Sequence, residues 1–122
     1  MMMEIPTVEE GDRQKALELL EPLLKFMYPR RDAEVKRNIM GTLLWRVRNK
    51  TSEFKPFNRS DGRAFCEKYG FNLNTFQVVK AELEKSDILS YKKGEYTINP
   101  EAFLKVNESL VMFLAFREYT KH

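Results

Sequence analysis

Gly70 is the residue that most constrains this chain. It sits inside "FCEKYGFNLNTFQVV", residues 65–79, between two short stretches whose apolar residues recur at helical spacing. Phe65, Cys66 and Tyr69 precede it, Phe71 follows at the corner, and Phe76, Val79 and Leu83 continue on one face. Glycine enters left-handed backbone without a side-chain clash, so it ends one helix and lets the chain turn sharply into the next. The spacing predicts a helix that starts at Ser60 or Asp61, either a good N-cap, and runs to Tyr69. A second helix is capped by Asn72 or Asn74 and continues to about Lys85. Two helices pinned by their inner faces on both sides of a tight turn cross steeply, which leaves the other face of the second one outward.

The rest of the chain is organised around this pair. "ILSY" and "EYTI" are β-prone runs about Lys92-Lys93-Gly94, the pattern of a hairpin. Asn99-Pro100 opens a last helix, with Pro100 at the first helical position. Its apolar residues, from Phe103 and Val106 to Leu110, Val111, Phe113 and Leu114, form a very broad face. Upstream, Ala16, Leu17, Leu19, Leu20, Leu23, Leu24 and Met27 make an amphipathic stripe that begins near Asp12 and is stopped by Pro29. A further helix is expected from about Arg31 to Asn49, with Val35, Ile39, Leu43 and Val47 in register and Met40 and Leu44 beside them. Trp45 stands off that stripe, and Gly41 is a weak point in its middle. "KTSEFKPFN" reads as a loop punctuated by Pro56. The expectation is a mainly α chain with a small β-hairpin. Residues 1–11 are a flexible tail and 12–122 one domain: helix-turn-helix over about 60–86, hairpin over about 87–99, C-terminal helix over about 100–119.

Charge is laid out unevenly. Residues 30–70 hold eleven basic and five acidic side chains, whereas residues 1–29 hold three basic and six acidic. A basic centre suits a polyanion such as nucleic acid; the alternative is a solvated or internally paired helix face, with Glu9, Glu10, Asp12, Glu18 and Glu21 as the partners. His122 is the single histidine and the last residue, which argues against a metal site or a histidine-based catalytic set. Cys66 has no histidine in the domain to activate it, and no glycine-rich phosphate loop occurs. The expectation is a protein that is not an enzyme and carries no cofactor. The longest apolar run, Leu110 to Phe116, is too short for a membrane span, and the N-terminus lacks a signal-peptide pattern. With a lone cysteine, this suggests a cytoplasmic, nucleoid-associated location.

The order helix, Gly-containing turn, helix and two-stranded hairpin over residues 59–99 resembles the winged helix-turn-helix superfamily. Cys66 stands where that family more often has alanine. Lys80 replaces a usual apolar residue, and Asp87 a usual glycine before the wing. The resemblance implies a winged helix-turn-helix fold with extra N- and C-terminal helices. It also implies double-stranded DNA binding, as in a small dimeric transcriptional regulator. Carried over by position, the base-facing candidates are Asn72, Asn74, Thr75 and Gln77, with Val78 and Ala81 secondary. Phosphate and wing contacts fall to Arg59, Ser60, Arg63, Lys80, Tyr91, Lys92 and Lys93. Homodimerisation through the outer helices nominates Leu20, Leu24, Leu110, Phe113 and Leu114. The second expectation is a winged helix used for protein contact, or a replication-associated factor in a larger assembly. "TINPEAF" after the hairpin is similar to a stretch in winged-helix replication proteins of plasmids and phages.

Overall fold

The computed structural model describes residues 8–48 and 56–102, together with 104, 105 and 108. Helix α1 (Val8–Met27) leads by a 3-10 turn (Arg31–Ala33) into α2 (Glu34–Arg48). A second 3-10 turn (Arg59–Asp61) opens α3 (Gly62–Tyr69), which is followed by α4 (Leu73–Lys85) and by strands β1 (Leu89–Lys92) and β2 (Glu95–Ile98). The protein is thus mainly helical, with one small antiparallel sheet. Among the described residues no helix is long and apolar enough to cross a membrane.

α2 lies at the centre. Ile39, Met40 and Leu43 are fully enclosed, and α1, α4 and β2 pack around this helix. Phe76, Val79 and Leu83 of α4, Ile88 just before the hairpin, and Leu89 and Tyr96 within it complete the same core. Burial of this kind is worth about 1.5–3 kcal/mol per large apolar side chain.

α1 begins at Val8, ahead of the expected Asp12. Asp12 is inside the helix, and its carboxylate accepts a 2.8 Å bond from the Trp45 indole Nε1. Glu9 and Glu10 fall in the first helical turn, where backbone N–H groups favour negative charge. Residues 1–7 of the expected tail lie outside the described residues. Leu19, counted in the buried stripe, is 79% exposed, and Val35 at the start of α2 is also exposed. Trp45, off the stripe, is buried beneath α1 instead. Gly41 is a point of close approach: a methyl group there would collide with the Leu17 side chain and lie 3.2 Å from Leu24 Cδ1. The expected weak point is where α1 seats on α2.

The turn between α3 and α4 follows the expected chemistry. Gly70 has φ of 72° and closes α3, with the Phe71 N–H donating to the Cys66 carbonyl at 2.9 Å. Asn72 caps α4, its side chain accepting from the Thr75 N–H at 3.1 Å. Asp61 stands at the N-cap position of α3, one of the two expected, but its side chain makes no capping bond to that helix; the side-chain cap is Asn58, ahead of the 3-10 turn. The Asn58 side chain accepts from the Ser60 N–H, and Asp61 answers by accepting from the Asn58 N–H. The intervening 3-10 turn moves the cap back, and Asp61 serves as the carboxylate of a capping box.

α4 ends in paired bonds from the Ile88 N–H to the Leu83 carbonyl (3.0 Å) and from the Asp87 N–H to the Glu84 carbonyl (3.1 Å). Asp87 takes the left-handed conformation this ending requires, at φ 62°. The hairpin then turns through Lys93 and Gly94, both at positive φ (53° and 79°), as a tight two-residue turn demands. Leu89, Tyr91, Tyr96 and Ile98 face one side of the sheet by strand alternation, and Ser90, Lys92, Glu95 and Thr97 the other. The Tyr96 N–H points away from β1 and donates to the Phe57 carbonyl at 2.7 Å, which ties the segment before α3 to the outer edge of β2. After β2 the chain is helical at residues 100–102, 104, 105 and 108, and the Asn99 side chain accepts from the Glu101 N–H at 3.2 Å.

Candidate nucleic-acid interface

α4 divides cleanly by face. Phe76, Val79 and Leu83 point inward, while Asn74, Gln77, Val78 and Ala81 are exposed, with Glu84 and Lys85 at the far end of the same side. Steric enclosure on one side is what frees the other. Gly62 in the first turn of α3 makes the close seat possible, since a Cβ there would come within 2.9 Å of Phe76 Cε1. The sequence pattern does not single out Gly62, because a glycine at a helix start carries no periodic signal.

The four base-facing candidates are not equivalent. Asn74 and Gln77 are exposed. Asn72 is exposed but its side-chain oxygen already accepts from the Thr75 N–H, and the Thr75 hydroxyl lies 3.4 Å from the same oxygen. Thr75 itself is half-buried. The cap therefore occupies Asn72 and Thr75, and the open pair is Asn74 with Gln77.

Three of the phosphate and wing candidates, Arg59, Lys80 and Tyr91, meet on a line of aromatic rings. The Tyr91 and Tyr96 rings, directly paired across the strands, stand 4.8 Å apart, and Tyr96 continues to Phe57 at 6.0 Å and Phe57 to Phe65 at 5.5 Å. Cations rest on these rings. The Arg59 guanidinium lies 4.2 Å over Tyr91, the Lys80 ammonium 5.4 Å from the Tyr96 centroid, and the Arg46 guanidinium 5.3 Å over Phe57. Lys80 also donates to the Tyr96 hydroxyl at 3.1 Å, so its stem crosses the core edge and its amine ends at the hairpin. Burial holds the Arg46 guanidinium below its ordinary range, with Asp61, Tyr69 and Glu9 opposing that shift. The Arg59–Tyr91 stack is a pairing no sequence signal announces, because the partners come from separate elements. Lys92, Lys93, Ser60 and Arg63 are exposed.

The acidic residues of α4 and of the turn that ends it separate in the same way. Glu82 faces Lys36 of α2 at 3.7 Å and lies beside Tyr28, whose phenol is pushed up first by burial and then by this carboxylate. Glu84 and Asp87 are exposed. The basic residues of α2 are largely structural: Arg37 donates to the Tyr28 and Arg30 carbonyls at 2.7 and 2.8 Å, closing the turn after α1. Glu10 pairs with Arg13 within α1, and Glu21 with Lys25 at 2.8 Å. The Arg13 bond lowers the Glu10 carboxyl from its ordinary range. Glu9 reaches α3, accepting from Lys68 Nζ at 2.6 Å and the Tyr69 hydroxyl at 3.0 Å.

Of the dimer candidates, Leu24 belongs to the chain's own core, since α2 covers it; Leu20 is half-buried, and Leu110, Phe113 and Leu114 lie outside the described residues. Leu20 does line a cavity of about 360 Å³ with Ala16, Leu19, Leu44, Trp45 and Ile98. Among the described residues no group of three or more His, Cys, Asp or Glu is placed to hold a metal ion. Compared with models of known families, with curated proteins and with solved structures, the chain has no match.

Proposed function

We propose that this chain is a winged helix-turn-helix protein that binds double-stranded DNA, as a small dimeric regulator of transcription working at the nucleoid of the cytoplasm. The observation that carries the reading is the divided α4: amide side chains stand open on one face while three enclosed apolar anchors hold the other. α4 is of a diameter that the major groove admits, and Asn74 and Gln77 are chemically suited to base edges. The hairpin turn offers Lys92 and Lys93, and Arg59 stacked on Tyr91 offers a held guanidinium, all suited to phosphate oxygens. The protein acts by binding, without catalysis or a cofactor.

The test is retention of a labelled random-sequence duplex by the full chain at two salt concentrations. Binding falls steeply as salt rises, because each neutralised phosphate releases counterions. Lys92→Ala combined with Lys93→Asn, which keeps a residue suited to positive φ, weakens binding to all duplexes alike and lowers the salt slope by about 2. A slope unchanged by the double variant removes the hairpin from the contact surface. No salt-sensitive retention at all favours the protein-contact reading.

A further inference from the structure

The outward face of α4 carries information about which base pairs it meets. Resting on the duplex-binding reading above, we infer that α4 reads A·T base pairs, with a thymine methyl group seated against Val78.

Val78 is 46% exposed, although the core side of α4 is already filled by Phe76, Val79 and Leu83. An isopropyl group held in water is a cost the fold does not need. The major-groove edge of DNA bears one hydrocarbon group, the C5 methyl of thymine. Ala81, also exposed and close to one turn further on, adds a small side chain that lets the helix backbone come near the groove floor. Asn74 stands one turn before Val78 and Gln77 next to it, and each ends in an amide that offers a donor and an acceptor together. That pair matches the N6 amino group and N7 of adenine.

Guanine presents two acceptors instead, and is read by a group that donates twice. α4 contains no arginine. Its Lys80 ammonium is drawn to the Tyr96 hydroxyl at 3.1 Å, and Lys85 lies in the last turn beside Glu84. Base contacts of such a helix come from its N-terminal part, which leaves both of those last-turn residues beyond the reading stretch.

The experiment uses the full chain and a pool of duplexes with a randomised core, bound at low salt, recovered and sequenced. The recovered cores are enriched in A·T pairs. The best-retained duplex is then remade with uracil for every core thymine, which deletes only methyl groups. Affinity of the unaltered protein falls about fourfold for one lost methyl contact. Val78→Ala, at an exposed site that leaves the core intact, binds both duplexes within about twofold of each other. Cores enriched in G·C pairs, equal affinity for the thymine and uracil duplexes, or a Val78→Ala variant that keeps the full difference each overturn the assignment while duplex binding stands. A chain that retains no duplex from the pool overturns the assignment together with the proposed function.

Discussion

Single residues in left-handed backbone hold the angles between elements. Asp87 occupies φ 62° at the end of α4, a conformation that costs an L-residue about 1–2 kcal/mol, less for aspartate, and glycine almost nothing. Asp87→Gly is therefore expected to raise stability by about 0.5–1 kcal/mol, read as a higher urea midpoint at unchanged slope. A lower midpoint would show that the Asp87 side chain contributes more than its backbone strain removes. Cys66 is buried, and burial pushes its thiol up from the ordinary range, with the Glu67 charge acting the same way. Since the thiolate is the nucleophile, a thiol reagent should label the folded protein slowly and the urea-unfolded protein fast. Equal rates would place Cys66 outside the core. The signals legible in the sequence are mostly of this scale: Gly70 at the turn, Asn72 as a cap, and Lys93-Gly94 in the hairpin each act on their own few bonds. Asn58 escaped because the 3-10 turn before α3 displaces the cap from the residues that look most like one.

At the scale of elements, periodicity yields the helices but not which residues let them touch. Gly62 and Gly41 show why. Neither needs positive φ, and each is required by a side chain from a different helix, Phe76 in one case and Leu17 in the other. Gly62→Ala sets two effects against each other. Alanine favours helix by at most about 1 kcal/mol, whereas forcing a methyl against the enclosed Phe76 ring costs about 1–3 kcal/mol. Phe76 is 1% exposed and has no room to swing, so the clash wins. A net loss of about 1 kcal/mol is expected in chemical denaturation; a gain would mean that α3 and α4 are seated less closely. The tether from Glu9 to Tyr69 joins residues 60 apart in the chain, and the Arg59–Tyr91 stack joins a 3-10 turn to a strand. Contacts of that reach depend on the assembled fold, so local pattern is silent about them.

For the whole molecule, the outer surface of α1 is the unsettled balance between core and partner. A stripe of leucines identifies an amphipathic helix, but which of them is covered depends on how far the neighbouring elements extend. Leu23 and Leu24 are enclosed in the core while Leu19 is left at 79% exposure in the lining of the 360 Å³ cavity. If that face is a dimer contact, Leu19→Glu converts the protein from a dimer near twice 14.5 kDa to a monomer in sedimentation, with its thermal midpoint little changed at high dilution. A monomer before and after the substitution would dispose of the dimer. Of the expected contact residues, Leu24 is used up inside the chain, so the prediction moves to Leu19.

The joint between α4 and the hairpin is three residues long, Ser86, Asp87 and Ile88, each bonded back into the helix, and the far edge of β2 is bonded to Phe57. Helix and hairpin consequently travel as one stiff bracket. A partner docking against it would find the lysine tips and the amide row at a fixed separation, with little chain freedom left to lose. Swelling or shrinking the turn at Lys93-Gly94 by a single residue would put those two sets of groups out of step, and the misfit would fall on every sequence equally.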